Sequence, residues 1–418
     1  MAKFEIKGGA KLNGKIKVAG NKNSVLPIMA ACLLTEDTCT IENVPNISDV
    51  VVMAKILELC GAKVERISET TITVNAKEIK SAEIPEELTE KLRASVLLLG
   101  PMASRVGKLK MGYPGGDVIG RRPLDTHFQV LEALGAKVTR ENDSFIVSAN
   151  SLKGAEIFLK EASVTATENA IIAASKAEGV TRIKRAASEP HIVDLCEFIN
   201  KMGGSIQGIG TNLLTITGVP KLFGATHSVR PDHVEVGTFA ILAALISKKV
   251  EISPIIKEDL DMILLTLSEF GVKYEIEDEK LTVFGSNLNS VQKVVTGVWP
   301  GFPTDLMAPM IVLATQAKGV TILHDWMYES RMFFVDKLLS MGARVEIADP
   351  HRVFVYGQTK LYSQKLDTPD IRAGIALVIA ALCAQGESMI EKTELIERGY
   401  ENIVERLTSI GAKIQRLN

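Results

Sequence analysis

The chain has 418 residues, of which 46 % are hydrophobic and 23 % charged, and its formal net charge is −2. A chain of this length is too long to fold around one ordinary hydrophobic core, so two or more globular domains are expected. The near-neutral charge argues against nucleic acid or an anionic membrane as partner, and any anion site must come from locally placed lysines and arginines.

Neither a secretion signal nor a membrane span is expected. The first residues, MAKFEIKGGA, lack the apolar segment of a signal peptide, and the longest apolar runs are far shorter than the roughly 20 residues that cross a bilayer. Five cysteines without CxxC spacing predict reduced core residues, as is typical of a cytoplasmic protein. The histidines lack ligand spacing, so no metal is expected.

One pattern of secondary structure is repeated six times along the chain, with a period of roughly 70 residues. Each copy predicts a strand, a thoroughly apolar helix, a second strand, an amphipathic helix and a hairpin. A glycine directly follows each amphipathic helix, where it suits the left-handed C-cap. These glycines are Gly61, Gly135, Gly203, Gly271, Gly342 and Gly411.

The apolar helices belong inside the fold, because a helix that is apolar on nearly all faces has no face for solvent. The apolar helices are predicted to begin near Lys22, Arg93, Thr167, Gly237, Asp305 and Arg372. The amphipathic helices are predicted to begin near Asp49, Arg122, Glu189, Glu258, Arg331 and Arg398.

The sixth copy ends after only one strand of its hairpin. The missing partner can come from residues 4–7 or 15–19 at the other end of the chain, which would place both termini in one domain. We therefore predict an α/β protein with two sets of three repeats. The expected domains are 22–229, and 230–418 together with 1–21.

Cations recur at these predicted helix starts, where arginine opposes the helix dipole. A bound anion between the guanidinium and the helix end removes that conflict, so we expect a phosphorylated or carboxylated ligand in a cleft between the domains. For single residues the alternatives stay open. Lys22 can instead be solvated, Arg93 can pair with Glu90, and Asp305 can be a helix cap rather than a general base. His233 and His324 can be structural or acid–base groups.

The loop YPGGDVIGRRPLDT, residues 113–126, combines two glycines, one carboxylate and two arginines. Pro123 suits the first position of a helix, because that position needs no amide hydrogen. We expect the reaction to take place against this loop, and its glycines to let residues 113–121 close over the ligands.

The ordered motifs NKNSVLP, RAS, PGG-IGRRPLD, SEP-IVD, PGFPTD, ESR and ERGY resemble those of the enolpyruvyl transferases over the whole chain. The resemblance implies two inside-out α/β barrel domains of three repeats each, with the active site between them and no metal or organic cofactor. It implies transfer of the enolpyruvyl group of phosphoenolpyruvate to the 3-hydroxyl of UDP-N-acetylglucosamine, the first committed step of peptidoglycan synthesis.

The resemblance also implies the site residues. Lys22, Arg122 and Arg398 would hold the phosphate and carboxylate of phosphoenolpyruvate, and Asp305 would take the proton of the sugar hydroxyl. The nucleotide sugar would contact Asn23, Arg93, Arg122, Pro123, Leu124, Asp125, Thr126, Ser163, Val164, Thr165, Asp305 and Met327. Arg331 and Arg372 would complete the basic cleft. Partners would be these small molecules alone, with the protein a monomer or weak homo-oligomer.

Several positions depart from the commonest pattern of the family. They are Asp117 in place of cysteine, Glu161 just before Ser163 where the family usually has a cation, Thr165 for Gly, His233 for Arg, Met307 for Gln and Ser330 for Asn. The changes on the nucleotide side leave open another acceptor, such as a different nucleotide or phosphosugar, or a relative that binds without catalysis.

Asp117 occupies the position of the residue that protonates the methylene carbon of phosphoenolpyruvate in this family. A free aspartate is ionised at neutral pH, so we expect Asp117 to gain its proton only in the closed complex, with activity falling as the pH rises. Without a thiol at this position, the enzyme should resist the epoxide fosfomycin.

Overall fold

The computed structural model describes residues 2–79 and 83–417. The strands of this part are β1 (Lys3–Lys7), β2 (Leu12–Lys17), β3 (Thr38–Glu42), β4 (Lys63–Ser68), β5 (Thr71–Asn75), β6 (Glu83–Ile84), β7 (Lys108–Gly112), β8 (Lys137–Arg140), β9 (Ser144–Ser148), β10 (Glu156–Phe158), β11 (Val180–Lys184), β12 (Ser205–Gln207), β13 (Leu213–Thr217), β14 (Thr226–Ser228), β15 (Ser247–Ser253), β16 (Lys273–Glu277), β17 (Lys280–Phe284), β18 (Lys293–Val295), β19 (Gly319–His324), β20 (Val345–Asp349), β21 (Arg352–Gly357), β22 (Lys365–Asp367), β23 (Glu387–Glu391) and β24 (Lys413–Leu417).

The α-helices are α1 (Lys22–Ala31), α2 (Ser48–Leu59), α3 (Glu86–Thr89), α4 (Leu99–Arg105), α5 (Asp125–Ala133), α6 (Val164–Ala174), α7 (Pro190–Lys201), α8 (His233–Ile246), α9 (Asp261–Glu269), α10 (Met307–Gln316), α11 (Val335–Ser340), α12 (Ile371–Cys383), α13 (Glu394–Glu397) and α14 (Ile403–Ser409). Short 3-10 helices cover Cys32–Leu34, Arg93–Leu98, Lys257–Asp259 and Thr304–Leu306. In the described ranges, no helix is long and apolar enough to cross a membrane.

The strands form six four-stranded sheets, one for each repeat. Their orders are β14-β3-β5-β4, β6-β7-β9-β8, β10-β11-β13-β12, β16-β17-β15-β2, β18-β19-β21-β20 and β22-β23-β1-β24. In the β10 sheet, for example, β10 and β11 run parallel, and the hairpin β12–β13 adds antiparallel to β11. The predicted repeat is therefore confirmed, including its strand–helix–strand–helix–hairpin order.

The sixth sheet is completed by β1, which lies between β23 and β24 and pairs antiparallel with both. Of the two segments that could supply this strand, residues 4–7 do so. The second candidate, around Lys15, belongs to β2, which pairs parallel with β15 in a different sheet. The buried side chains Phe4 and Ile6 point into the core from β1, so this pairing is fixed by packing as well as by hydrogen bonds.

The chain divides into two compact units, called here the first and second units. The first unit comprises Gly20–Gly116 and Arg122–Arg230; the second comprises the described residues 2–19, 117–121 and 231–417. Each has its own hydrophobic core, with apolar helices inside and sheets outside. The inner helices are α1, α4 and α6 in the first unit, and α8, α10 and α12 in the second.

The glycine after each amphipathic helix has the conformation that the sequence predicts. Their φ angles lie between 85° and 101°. A side chain at such a position is strained by contact between Cβ and the backbone, which explains the recurrence of glycine.

The prediction that arginines begin amphipathic helices is wrong. Helices α5, α11 and α14 begin at Asp125, Val335 and Ile403, so Arg122, Arg331 and Arg398 precede them. Before α14, Asn402 has φ 45° and separates that helix from α13. Arg331 and Arg398 therefore lie in turns, and Arg122 lies in the irregular segment before α5.

Candidate active site

Asp305 is held between two buried arginines of the second unit. Arg331 Nη2 lies 3.0 Å from Asp305 Oδ1, and both Nε and Nη2 of Arg372 lie 2.9 Å from Oδ2. The two arginine side chains are at most 5 % exposed, whereas the aspartate is 27 % exposed. The carboxylate thus compensates two buried charges and still presents an edge to solvent.

The local sequence explains this placement. Asp305 lies in the 3-10 helix that follows Pro303 and leads into the buried helix α10. Asp305 is the acidic residue in the first turn of that 3-10 helix, whose N-cap position is Pro303. Burial lowers the pKa of Arg331, but Asp305, Asp370 and Asp325 outweigh that effect and raise it.

The tip of the 113–126 loop packs within the second unit. Asp117 Oδ1 lies 3.5 Å from Arg398 Nη1. The Arg121 amide donates to Glu329 Oε2 at 3.1 Å, and the Ser330 amide donates to the carbonyl of Ile119 at 3.0 Å. Asp117 therefore meets an arginine that sequence reasoning assigned to substrate.

A further ionisable group, Asp370, lies near this cluster. Asp370 caps α12 by accepting the amides of Arg372 and Ala373 at 2.8 and 3.0 Å. Burial raises the pKa of Asp370, and the negative charge of Asp117 acts in the same direction. Sequence reasoning missed Asp370, although its position just ahead of an apolar helix is a capping signal.

His233 begins α8 and is buried. Burial, and then the charge of Arg372, lowers the pKa of His233 to about 4, although Asp305 opposes the shift. The imidazole is therefore neutral at neutral pH and cannot replace the charge of the arginine that the resemblance places here. His324 lies at the end of β19, where burial and then Lys293 lower its pKa.

In the first unit, Arg93 clamps the base of the loop. Its Nη1 donates to the carbonyl of Pro114 at 3.3 Å, and its Nη2 donates to the carbonyl of Arg122. A Cβ on Gly115 would lie 2.0 Å from the carbonyl oxygen of Glu90, so only glycine fits there. Close packing, rather than freedom of motion, explains this glycine.

Lys22 is the first residue of α1, and its Nζ lies 3.0 Å from Asp49 Oδ2. The lysine side chain is 14 % exposed, so the alternative of a solvated lysine is wrong. Asn21 caps this helix by accepting the amide of Asn23 at 2.8 Å. The ammonium group stays near the helix start, with one carboxylate as partner.

Thr165, on the first turn of α6, is oriented by a buried histidine that sequence reasoning missed. His127 Nδ1 lies 2.9 Å from Asn169 Nδ2, and His127 Nε2 lies 3.1 Å from Thr165 Oγ1. The amide oxygen of Asn169 accepts the Gly100 amide, so its nitrogen faces the ring as a donor. His127 Nδ1 therefore accepts, and Nε2 carries the hydrogen that is donated to Thr165.

Ser163 and Thr165, at the start of α6, each accept one hydrogen bond through the side-chain hydroxyl. Ser163 Oγ accepts the Ala166 amide at 3.4 Å, and Thr165 Oγ1 accepts from His127. Each hydroxyl hydrogen is left to donate elsewhere. Next to them, Thr126 Oγ1 donates to Glu161 Oε1 at 3.2 Å, which places a carboxylate beside this polar turn.

Asp125 and Met327 have mainly local contacts. Asp125 pairs on the surface with Arg140 at 3.0 Å. The amide of Met327 donates to Asp325 at 2.9 Å. Pro123 is exposed and Leu124 is buried.

Comparison with known proteins places the chain in a family. Residues 6–407 match the family model of EPSP synthase (3-phosphoshikimate 1-carboxyvinyltransferase). The chain belongs to this family of enolpyruvyl transferases. It is 48 % identical to a UDP-N-acetylglucosamine 1-carboxyvinyltransferase of Treponema denticola, covering 99 % of both chains. It is 46 % identical to the enzyme of that name from Bradyrhizobium diazoefficiens, covering 99 % of this chain and 98 % of the relative.

Solved structures of enolpyruvyl transferases share the fold. The enolpyruvyl transferase NikO from Streptomyces tendae superposes with a TM-score of 0.90 at 24 % identity, covering 100 % of this chain and 99 % of that one. EPSP synthase from Acinetobacter baumannii has a TM-score of 0.76 at 19 % identity, with complete coverage of both chains. The inside-out α/β fold and the enolpyruvyl transferase family, both predicted from the motifs, are confirmed.

Within this enolpyruvyl transferase, the predicted residues form several groups of contacts. The second unit holds Asp305 with Arg331 and Arg372, and Asp117 with Arg398. The first unit joins Arg93 to the Arg122 backbone. Its remaining groups are Lys22 with Asp49, and Thr165 with His127.

Proposed function

We propose that the protein transfers the enolpyruvyl group of phosphoenolpyruvate to the 3-hydroxyl of UDP-N-acetylglucosamine, with release of inorganic phosphate. This is the first committed step of peptidoglycan synthesis. The observation that carries the proposal is the carboxylate of Asp305, which two buried arginines orient while one edge stays accessible. The relatives at 46–48 % identity, which carry the name of this activity, support the same acceptor.

Asp305 is the proposed general base. It takes the proton of the sugar 3-hydroxyl as that oxygen attacks the C2 carbon of phosphoenolpyruvate. Protonation of the methylene carbon completes the tetrahedral ketal, and loss of phosphate together with one proton of the new methyl group then gives the enolpyruvyl ether. A general base must reach the proton it removes, and the exposed edge of Asp305 permits that approach.

Lys22, Arg122 and Arg398 are the proposed ligands of the phosphate and carboxylate of phosphoenolpyruvate. Lys22 and Arg398 have carboxylate partners, Asp49 and Asp117. An anionic substrate can replace the 3.5 Å contact between Asp117 and Arg398, because a phosphate or carboxylate binds a guanidinium in two-pronged geometry.

The nucleotide sugar is proposed to contact Asn23, Arg93, the 122–126 segment, Met327 and the 163–165 turn. The hydroxyls of Ser163 and Thr165 suit the diphosphate, since both have hydrogens to donate at the start of α6, where the helix dipole favours an anion. His127 fixes the Thr165 hydroxyl for this purpose.

Asp117 is the proposed acid that protonates the methylene carbon. Its carboxylate lies 3.5 Å from Arg398 Nη1, and its negative charge helps to raise the pKa of the buried Asp370. When phosphoenolpyruvate binds Arg398, the ion pair between Asp117 and Arg398 is broken. The carboxylate of Asp117 then lies near the negative charges of the substrate, which favours its protonation. The acid would then form only in the substrate complex.

The domain limits 22–229 and 230–418 with 1–21 remain a proposal, as does the monomer or weak homo-oligomer. The five cysteines are free thiols, which fits a reducing compartment, and we propose the cytoplasm as location.

Phosphate release tests the proposed function. The enzyme is incubated with phosphoenolpyruvate and, separately, UDP-N-acetylglucosamine, another UDP-sugar or shikimate 3-phosphate. We expect phosphate only with UDP-N-acetylglucosamine, and mass spectrometry should show the enolpyruvyl ether. Absence of phosphate with this acceptor contradicts the proposal.

The second candidate is an enolpyruvyl transferase with a different nucleotide or phosphosugar acceptor. The observation that favours it is the carboxylate of Glu161 beside the 163–165 turn, where it would repel a diphosphate. Phosphate release with another acceptor supports this alternative. Binding of UDP-N-acetylglucosamine without phosphate release with any acceptor indicates a relative that has lost catalysis.

A further inference from the structure

Tyr400 is a fully buried side chain that no step above uses. It follows Arg398 by two residues and is 0 % exposed. Its hydroxyl oxygen lies 3.1 Å from Arg372 Nη1 and 3.0 Å from Thr238 Oγ1. The guanidinium carbon of Arg372 also lies 5.5 Å from the centre of the Tyr400 ring.

The direction of every hydrogen bond in this chain of groups can be assigned. A guanidinium has only hydrogens to give, so Arg372 donates and the Tyr400 oxygen accepts. Thr238 Oγ1 lies 2.8 Å from the carbonyl of Val234, which can only accept. Thr238 therefore donates to that carbonyl, and the Tyr400 hydroxyl donates to Thr238.

This series of hydrogen bonds leads to Asp305. Arg372 uses Nη1 for Tyr400, and Nε and Nη2 for Asp305 Oδ2. Because a guanidinium is planar, fixing Nη1 from the far side also fixes the edge that faces the carboxylate. A neutral phenol holds Arg372 in place without competing with Asp305 for the positive charge of the guanidinium. A second carboxylate in its place would share that charge.

We propose that Tyr400 is a positioning residue for the reaction: anchored by Thr238, its hydroxyl holds Arg372 in the orientation that aims the Asp305 carboxylate at the acceptor hydroxyl. The proposal rests on the proposed function, in which Asp305 removes the proton of that hydroxyl. Tyr400 itself touches neither substrate nor reacting atoms.

Tyr400→Phe removes the hydroxyl and keeps the ring over Arg372. We expect kcat to fall at least tenfold, with the KM values for phosphoenolpyruvate and UDP-N-acetylglucosamine changing less than threefold. A misaimed base affects the transition state and leaves substrate binding in place. Tyr356→Phe is the control, because that hydroxyl bonds the exposed Glu346 on the sheet surface.

Thr238, at the other end of this series of hydrogen bonds, provides a matched pair of variants. Thr238→Ser keeps the hydroxyl and should retain kcat within threefold, whereas the similarly shaped Thr238→Val should lower kcat as Tyr400→Phe does. If Tyr400→Phe does not fold, this pair decides the question. Equal kcat for the serine and valine variants overturns the proposal, as does a Tyr400→Phe enzyme with wild-type kcat or with only its KM values raised.

Wild-type turnover separates the two proposals. A wild-type enzyme that releases phosphate with UDP-N-acetylglucosamine, together with unaffected variants, refutes the positioning role alone. A wild-type enzyme without that activity refutes the proposed function on which the role rests.

Discussion

Replacing Asp305 by alanine perturbs both the proposed chemistry and the charge balance of the second unit. The carboxylate is shared by Arg331 and Arg372 at 2.9–3.0 Å, and both arginines are buried. Removing one partner of a buried ion pair leaves an uncompensated charge and costs about 3–5 kcal/mol. Arg331 keeps Asp325 at 3.9 Å, so we expect the lower end for Asp305→Ala, about 3 kcal/mol.

Urea unfolding of the wild type and the variant measures this difference from the transition midpoint and slope. The matched control is Glu65→Ala, which breaks a surface pair with Lys63 and should leave the unfolding curve nearly unchanged. Turnover is measured on the folded variant. Loss of a general base removes about 10²–10⁴-fold in rate, while UDP-N-acetylglucosamine should still bind in a calorimetric titration.

Two results would refute this reasoning separately. An unfolding curve of Asp305→Ala that matches the Glu65→Ala control means that the two arginines do not depend on this carboxylate. Turnover within about tenfold of the wild type, a factor worth about 1.4 kcal/mol, means that Asp305 is not the base.

Two further predictions concern Asp117 and His127. Fosfomycin should leave the wild type active and inactivate Asp117→Cys over time, because the natural thiols are buried or, for Cys383, partly buried, which limits their access to the epoxide. A fosfomycin adduct at Asp117 of the wild type contradicts this expectation. Wild-type activity should also fall as the pH rises. Burial, and then the charge of Arg93, lowers the pKa of His127 to about 3 from 6.5. Between these two pH values the unfolded chain binds a proton that the folded protein excludes. The free energy of unfolding therefore decreases as the pH falls through this range, by about 1.4 kcal/mol per pH unit. In urea titrations from pH 7 to pH 4, His127→Gln should lose less stability than the wild type, and parallel losses would show that His127 is not the group responsible.

The local features of this protein are determined by the sequence itself. Glycine after each amphipathic helix, apolar residues on every face of the inner helices, and alternation along the hairpins depend on neighbours a few residues apart. They were sufficient for the sixfold repeat and the α/β class. The ordered motifs identified the family, because each combines several residues at short range.

The tertiary structure decided which distant groups meet. The sequence left two segments able to complete the sixth sheet, and the fold pairs β1, with its buried Phe4 and Ile6, between β23 and β24. It placed arginines at helix starts, but the chain turns before α11 and α14, and Arg331 reaches Asp305 across 26 residues of sequence. Likewise, the hydrogen on His127 depends on Asn169, and the aim of Arg372 on Tyr400. Such contacts carry no local periodicity, because the energy of a buried polar group depends on partners that the fold alone brings within hydrogen-bonding distance.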